Sequence, residues 1–302
     1  MFVQDVSSLQ IDPSQVNGFI GLGPSSSSNI HSTIGQSSGD PFLDRVFRQN
    51  TSTPNFISFL LGRDGDAGDA IQGQLTISEV VPEFSNITNQ PKVPVQATTL
   101  KTQQHWTGMI DAILGPDGQS ISLDSLVVGT PKGKLVTIFD TGFTLPQVPR
   151  DVSDAIYGRV PGASFDTQNG WWTVPCDQEI NVTVVIAGQN YPIHPLDTSS
   201  ENIDTTTQNG VQMCVGTVGH LSLAWQVFHA RKQFQPITTA LDGTFDAIMG
   251  MAFRRSLVKP SPPILPHRLY SSKYLYIDQP RRFYRRQPRQ PRQTVHAISI
   301  RH

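Results

Sequence analysis

Apolar residues along this chain fall in short runs rather than long periodic stretches. Residues 56–61, 74–78, 135–139 and 182–187 are short runs rich in β-branched and other apolar side chains, in a chain with 23 Pro and 24 Gly. That is the pattern of β-strands closed by tight turns. The last run is predicted to turn at Gly188-Gln189-Asn190 and to return through Tyr191-Pro192-Ile193. Helical patterning is sparse. Asp40-Pro41 offers a cap and a first-turn proline ahead of Phe42, Leu43, Val46 and Phe47, and residues 149–160 repeat that design with Val152, Ala155, Ile156 and Val160. The body reads as mainly β, with two short helices lying on sheets.

With 302 residues the chain can bury a sizeable core, about three quarters of the surface it exposes when unfolded. No apolar run approaches the roughly 18 to 20 residues of a membrane-spanning helix, so a transmembrane protein is not expected. The start, Met1-Phe2-Val3-Gln4-Asp5-Val6, has neither the basic nor the apolar region of a secretion signal. The formal net charge of −1 conceals a strong asymmetry. Residues 254–302 hold 10 Arg and 2 Lys against the single acid Asp278, which leaves 11 basic against 23 acidic residues in the first 253. An acidic body does not suit general phosphate binding. The Pro- and Arg-rich tail, with Arg281, Arg282, Arg285, Arg286, Arg289 and Arg292 interleaved with Phe283 and Tyr284, is expected to be disordered. It could coat nucleic acid or an acidic surface, although nucleic acid is not the favoured partner.

Most catalytic and metal-binding patterns are missing. The eight histidines show no His-Glu-x-x-His spacing and the two cysteines no Cys-x-x-Cys, so neither a metal site nor a cofactor is expected. Gly21-Leu22-Gly23-Pro24 lacks the Lys and Ser/Thr of a phosphate loop and reads as a turn. Asp64-Gly65-Asp66-Ala67-Gly68-Asp69 resembles the start of a calcium loop, but Leu75 stands where a bidentate Glu belongs, and a solvated hairpin tip is the better reading. Cys176 and Cys214 either close one loop, worth about 3 to 4 kcal/mol, or remain buried thiols. Asn50, Asn86 and Asn181 head Asn-x-Ser/Thr tripeptides and would be glycosylation acceptors in a secretory pathway.

One motif carries chemistry. Leu135-Val136-Thr137-Ile138-Phe139-Asp140-Thr141-Gly142 is an apolar strand that delivers a carboxylate to a glycine turn. There, backbone N–H groups can keep it ionised for the activation of water. Thr144-Leu145 follow, and about 100 residues later comes Phe245-Asp246-Ala247-Ile248-Met249-Gly250.

With these residues the chain resembles the pepsin-like aspartic peptidases, in the style of the secreted fungal enzymes, over roughly residues 15–253. In that family each of two similar β lobes carries an Asp-Thr-Gly strand and a later apolar-apolar-Gly strand packed beside it. The resemblance implies a bilobal β-barrel fold with a truncated N lobe and a nearly complete C lobe. Residues 1–100 would be the remnant of the N lobe and interlobe region, 101–253 the catalytic C lobe, and 254–302 the basic tail. It makes Asp140 the C-lobe catalytic aspartate, with Thr141, Gly142 and Thr144 supporting the loop and Ile248-Met249-Gly250 as the partner strand. Ile20-Gly21 would be the N-lobe counterpart of that strand, and Cys176 and Cys214 match the family's C-lobe disulfide. Trp106 and Gly73-Gln74-Leu75-Thr76-Ile77 also fit.

The resemblance has departures. Asp140 lies 110 residues before Gly250, whereas Gly21 has only 20 residues before it, too few for a first catalytic Asp and a flap hairpin. Phe143 stands where the family usually has Ser or Thr beside the carboxylate. Residues 218–233 read as an insert between two halves of one family strand, with Leu221, Ala224, Trp225 and Phe228 at helical spacing. The function implied is acid endopeptidase chemistry on peptide or protein substrates, extracellular by family, with this chain inactive for want of the second carboxylate. Alternatives are a pseudopeptidase that binds peptides and a binder that acts through its basic tail.

Overall fold

The computed structural model of the protein describes residues 20–61, 73–98, 104–143, 145–220, 243–250, 274–278 and 294–297. Thr144, residues 64–69, residues 221–233 of the proposed insert and most of the basic tail lie outside them. The fold is mainly β, with three short α-helices.

In chain order the strands begin with β1 (Phe56–Leu60), β2 (Gln74–Ile77), β3 (Val93–Pro94), β4 (Thr107–Ile110), β5 (Ala112–Leu114) and β6 (Leu135–Phe139). Then come β7 (Gln147–Val148), β8 (Ser164–Asp166), β9 (Trp171–Pro175), β10 (Val182–Ile186), β11 (Gln189–Ile193) and β12 (Ser199–Gln208). The rest are β13 (Val211–Gly216), β14 (Gly219–His220), β15 (Ala247–Met249), β16 (Tyr274–Asp278) and β17 (Thr294–Ala297). The helices are α1 (Asn29–Ile34), α2 (Phe42–Gln49) and α3 (Arg150–Tyr157). Four sheets result, ordered β2-β1-β16-β17-β3, β11-β10-β5, β12-β13-β9-β8 and β14-β7-β15-β6-β4.

The four runs read as strands are strands to within a residue or two. The turn after β10 is tighter than its sequence suggests. Ala187 and Gly188 both take positive φ, 51° and 71°, and Gln189 and Asn190 already belong to β11. This is the two-residue geometry whose twist matches the flanking strands. The helix starts also differ from expectation. Pro41 and Pro149 are the N-cap residues of α2 and α3 rather than first-turn residues. Asp40 caps nothing with its side chain; its buried carboxylate pairs instead with His31 at 3.0 Å and with Arg48. Leu43 and Phe47 are the buried face of α2, whereas Phe42 points outward.

One continuous apolar core joins Leu43, Phe47, Ile57 and Phe59 to Trp106, Ile110, Leu135 and Val152, and so runs across residue 100. Tyr157 ties its parts together. Its fully buried hydroxyl donates to the Thr198 carbonyl at 2.7 Å and accepts from the Val218 N–H at 2.8 Å, and burial raises its pKa well above the ordinary tyrosine value. The Val218 carbonyl accepts from Ser153 Oγ at 3.0 Å, and Gly219 and His220 form β14 beside β7. The first residues assigned to the insert, 218–220, therefore belong to the fold.

The tail requires a second correction. Two of its segments, β16 and β17, are strands: β16 pairs with β1, and β17 with β16 and β3. Averaged over 49 residues the Arg and Pro content suggests disorder, but Tyr274-Leu275-Tyr276-Ile277 is locally a run of strong strand formers.

Candidate active site

β6 is buried throughout and lies between two strands. On one side β4 runs antiparallel, with Thr107 opposite Ile138. On the other, β15 runs parallel, with Ile248 opposite Ile138 and Met249 opposite Phe139. The chain leaves β6 at Asp140, turns through Thr141 and Gly142, and returns as β7 on the far side of β15. A third strand therefore threads between the two arms of the Asp140 loop, and the loop cannot shift without disturbing a buried sheet.

Both backbone groups of Asp140 are engaged. Its N–H donates to the Met249 carbonyl at 3.2 Å, and its carbonyl accepts from the Phe143 N–H at 3.4 Å. The half-buried side chain accepts from the Gly142 N–H at Oδ1, 2.7 Å away. An Asp bonding two residues ahead in this way makes a turn from its own side chain. A Cβ on residue 142 would sit 3.0 Å from Asp140 Oδ1 and crowd the carboxylate.

Gly250 is needed for a different reason. A Cβ there would lie 2.7 Å from the Phe143 carbonyl oxygen and 2.8 Å from that of Leu145. The Asp140 loop passes directly over this residue, and only a hydrogen fits between them. Phe143, where a hydroxyl residue would support the carboxylate, packs instead on a small buried cluster of Val136, Ile138, Phe245 and Ile248. The Gly142 amide provides support in its place.

The structure thus brings Asp140, Thr141, Gly142, Ile248, Met249 and Gly250 together. It does not bring Ile20 and Gly21 into a comparable arrangement. Among the described residues neither belongs to a strand, Ile20 is 60 % exposed, and a Cβ on Gly21 would meet nothing within 4 Å. Among the described residues no carboxylate-bearing strand lies alongside them. What fixes this segment is Leu22, whose carbonyl accepts the indole N–H of Trp106 at 2.8 Å. Cys176 and Cys214 form a disulfide that ties β13 to the end of β9. Asn50, Asn86 and Asn181 are all exposed.

One residue at the site carried no assigned role in the sequence. Asp246 is 4 % exposed, immediately before β15. Its carboxylate accepts from Ser125 Oγ at 2.6 Å and from the amides of Leu126 and Val136 at 2.8 Å each, while its own N–H donates to the Val136 carbonyl at 2.7 Å. It locks the start of β15 to the start of β6, and so fixes the register that brings Gly250 under the Asp140 loop. An acid directly before an apolar-apolar-Gly run was the available signal. Among the described residues no group of His, Cys, Asp and Glu is arranged to hold a metal ion, and no helix is long and apolar enough to cross a membrane.

Comparison with known proteins adds a shared ancestry to this geometry. No protein-family model matches the chain. Curated relatives do. An aspartic protease of Arthroderma benhamiae is 35% identical over 98 residues, 31% of this chain and 24% of its own length. Penicillopepsin-2 of Penicillium janthinellum is 30% identical over 124 residues, 35% of this chain and 32% of its own. An aspartic-type endopeptidase of Aspergillus fumigatus is 25% identical over 187 residues, 60% of this chain and 33% of its own. The matched regions span only about a quarter to a third of these relatives. With its mainly β fold and an Asp-Thr-Gly turn laid over an apolar-apolar-Gly strand, the chain is similar to these fungal pepsin-like aspartic peptidases.

Proposed function

We propose that the chain carries one half of an acid endopeptidase centre, with Asp140 as the catalytic carboxylate. The observation that carries this reading is the Asp140 loop itself: a half-buried carboxylate bonded by the Gly142 amide, on a buried strand whose parallel partner ends in a glycine closely covered by the loop. In such chemistry one aspartate accepts a proton from water while a second, protonated, polarises the peptide carbonyl. The substrates would be peptides or proteins, with no cofactor. Residues 101–253 would form the catalytic lobe, with Thr141, Gly142 and Thr144 completing its loop. Since the described residues place one such turn, the 302 residues alone are proposed not to cleave peptides.

The disulfide suits an oxidising compartment, and the exposure of Asn50, Asn86 and Asn181 suits glycosylation there, which supports an extracellular location. The test is proteolysis of a denatured protein by the purified chain at acid pH. No pepstatin-blocked cleavage is expected from the chain itself. A longer chain supplying a second aspartate turn should cleave, and should lose that activity with Asp140→Asn. Pepstatin-sensitive cleavage by the 302 residues, abolished by the same substitution, would overturn the half-site reading. Retention of activity by the longer Asp140→Asn chain would overturn the role of Asp140.

A further inference from the structure

The ladder between β4 and β6 ends with Thr107 opposite Ile138, and the next residues are still joined, the Phe139 N–H donating to the Trp106 carbonyl at 2.9 Å. One step further along each chain sets His105 across from Asp140. A bend at Trp106, with the Thr107 N–H donating to the His105 carbonyl at 3.0 Å, closes the ladder there. A ring contact fixes the side on which His105 lies. Its imidazole meets Phe245 edge to face, centroids 6.1 Å apart and planes at 77°. Phe245 belongs to the same buried cluster as Val136 and Ile138, and Asp140, two residues beyond Ile138, shares their face of the sheet. Imidazole and carboxylate therefore stand on one face at the end of the same strand pair.

Electrostatics agrees with this placement. Burial pushes the His105 pKa below its ordinary value, and the charge of Asp140 opposes that fall. Among the described residues, Asp140 is the charged group that acts on it. Asp246, an acid at the start of the neighbouring β15, is occupied by Ser125, Leu126 and Val136 at the opposite end of β6.

We propose that His105 is a positioning residue for Asp140, its imidazolium supplying, in acid, a positive charge on the same face at the end of the strand pair that carries the carboxylate. The proposal rests on the reading of Asp140 as catalytic. Because the histidine pKa is lowered from 6.5, the cation forms only as the pH falls below neutrality and is lost as the pH rises. The support is thus supplied in the acid range, where a water-activating carboxylate is most at risk of protonation.

The test is an NMR titration of the His105 imidazole in the full chain, with the resonance assigned by its loss in His105→Gln. Asp140→Asn should lower the His105 midpoint by about 0.5 pH unit or more, as expected on removing an opposite charge from the same face. Asp140→Ser provides the same reading if the amide disturbs the turn. Asp117→Asn, a surface carboxylate paired with Arg159, should leave the midpoint in place. A midpoint unmoved by loss of the Asp140 charge, or moved equally by Asp117→Asn, overturns the proposal. The titration requires no turnover, so the two readings fail separately. A coupled pair in a longer chain whose hydrolysis survives Asp140→Asn rejects the catalytic role of Asp140, and an uncoupled pair in an active chain rejects His105 alone.

Discussion

Two of the runs in which a pair of apolar residues precedes glycine, Phe19-Ile20-Gly21 and Ile248-Met249-Gly250, have opposite outcomes. At the second, Ile248 and Met249 are each 1 % exposed, and the glycine hydrogen is pressed against two carbonyl oxygens of the Asp140 loop. At the first, Ile20 faces solvent and a methyl group on Gly21 would touch nothing. The difference lies outside the tripeptides. Around Gly250 a buried strand ending in a carboxylate runs alongside, and Asp246 fixes the register between the two strands. Next to Gly21, Leu22 packs on the core and its carbonyl accepts the indole N–H of Trp106. A steric requirement for glycine is therefore a property of the loop that crosses it, not of the local sequence.

The strongest way to break the contrast is to remove what sets the register. Asp246→Ala leaves the amides of Leu126 and Val136 and the Ser125 hydroxyl without their acceptor in a largely buried place. A loss of about 3 to 4 kcal/mol in denaturant unfolding is expected. A loss under about 1 kcal/mol would show that β15 holds its place without the carboxylate. Gly250→Ala comes next. Its methyl group must displace backbone oxygens rather than a flexible side chain, so a cost of about 1 to 3 kcal/mol is expected, together with a displaced Asp140 loop. Broadening or loss of the Gly142 amide resonance would report that displacement.

Reading the sequence recovers the parts of this site that depend on local pattern. The apolar run into Asp140 and its Gly turn predict a strand that delivers a carboxylate, and the structure has β6 and the Gly142 hydrogen bond. What depends on distant partners is less legible. Asp246 looks like any acid before a strand until Ser125, 121 positions away in sequence, is folded against it. Val218 and Gly219 read as the start of an insert because nothing local reveals that Tyr157 and Pro146 hold them. β16 was hidden by averaging: surrounding arginines and prolines set the composition, while five consecutive residues set the strand. Phe143 was read as a lost hydroxyl, and its gain, burial against Ile138 and Ile248, requires knowledge of the neighbouring strand.

The smallest effect makes the sharpest control. Gly21→Ala should change stability by less than about 0.5 kcal/mol, because the added methyl group meets no atom and the position is exposed. Its φ is not in the left-handed range, so an L side chain adds no backbone strain, and reduced freedom in the unfolded chain tends slightly to stabilise. Measured beside Gly250→Ala in the same full chain, the pair differs in environment and hardly at all in chemistry. A ratio near one with both costs small would mean that the Asp140 loop yields to the methyl group, and the crossing would then be no steric constraint. A ratio of several-fold, with the Gly142 amide disturbed only in the Gly250 variant, would tie the glycine requirement to the carboxylate loop. If the ratio is near one because both substitutions cost more than about 1 kcal/mol, Gly21 is as confined as Gly250 and the contrast between the two glycines fails.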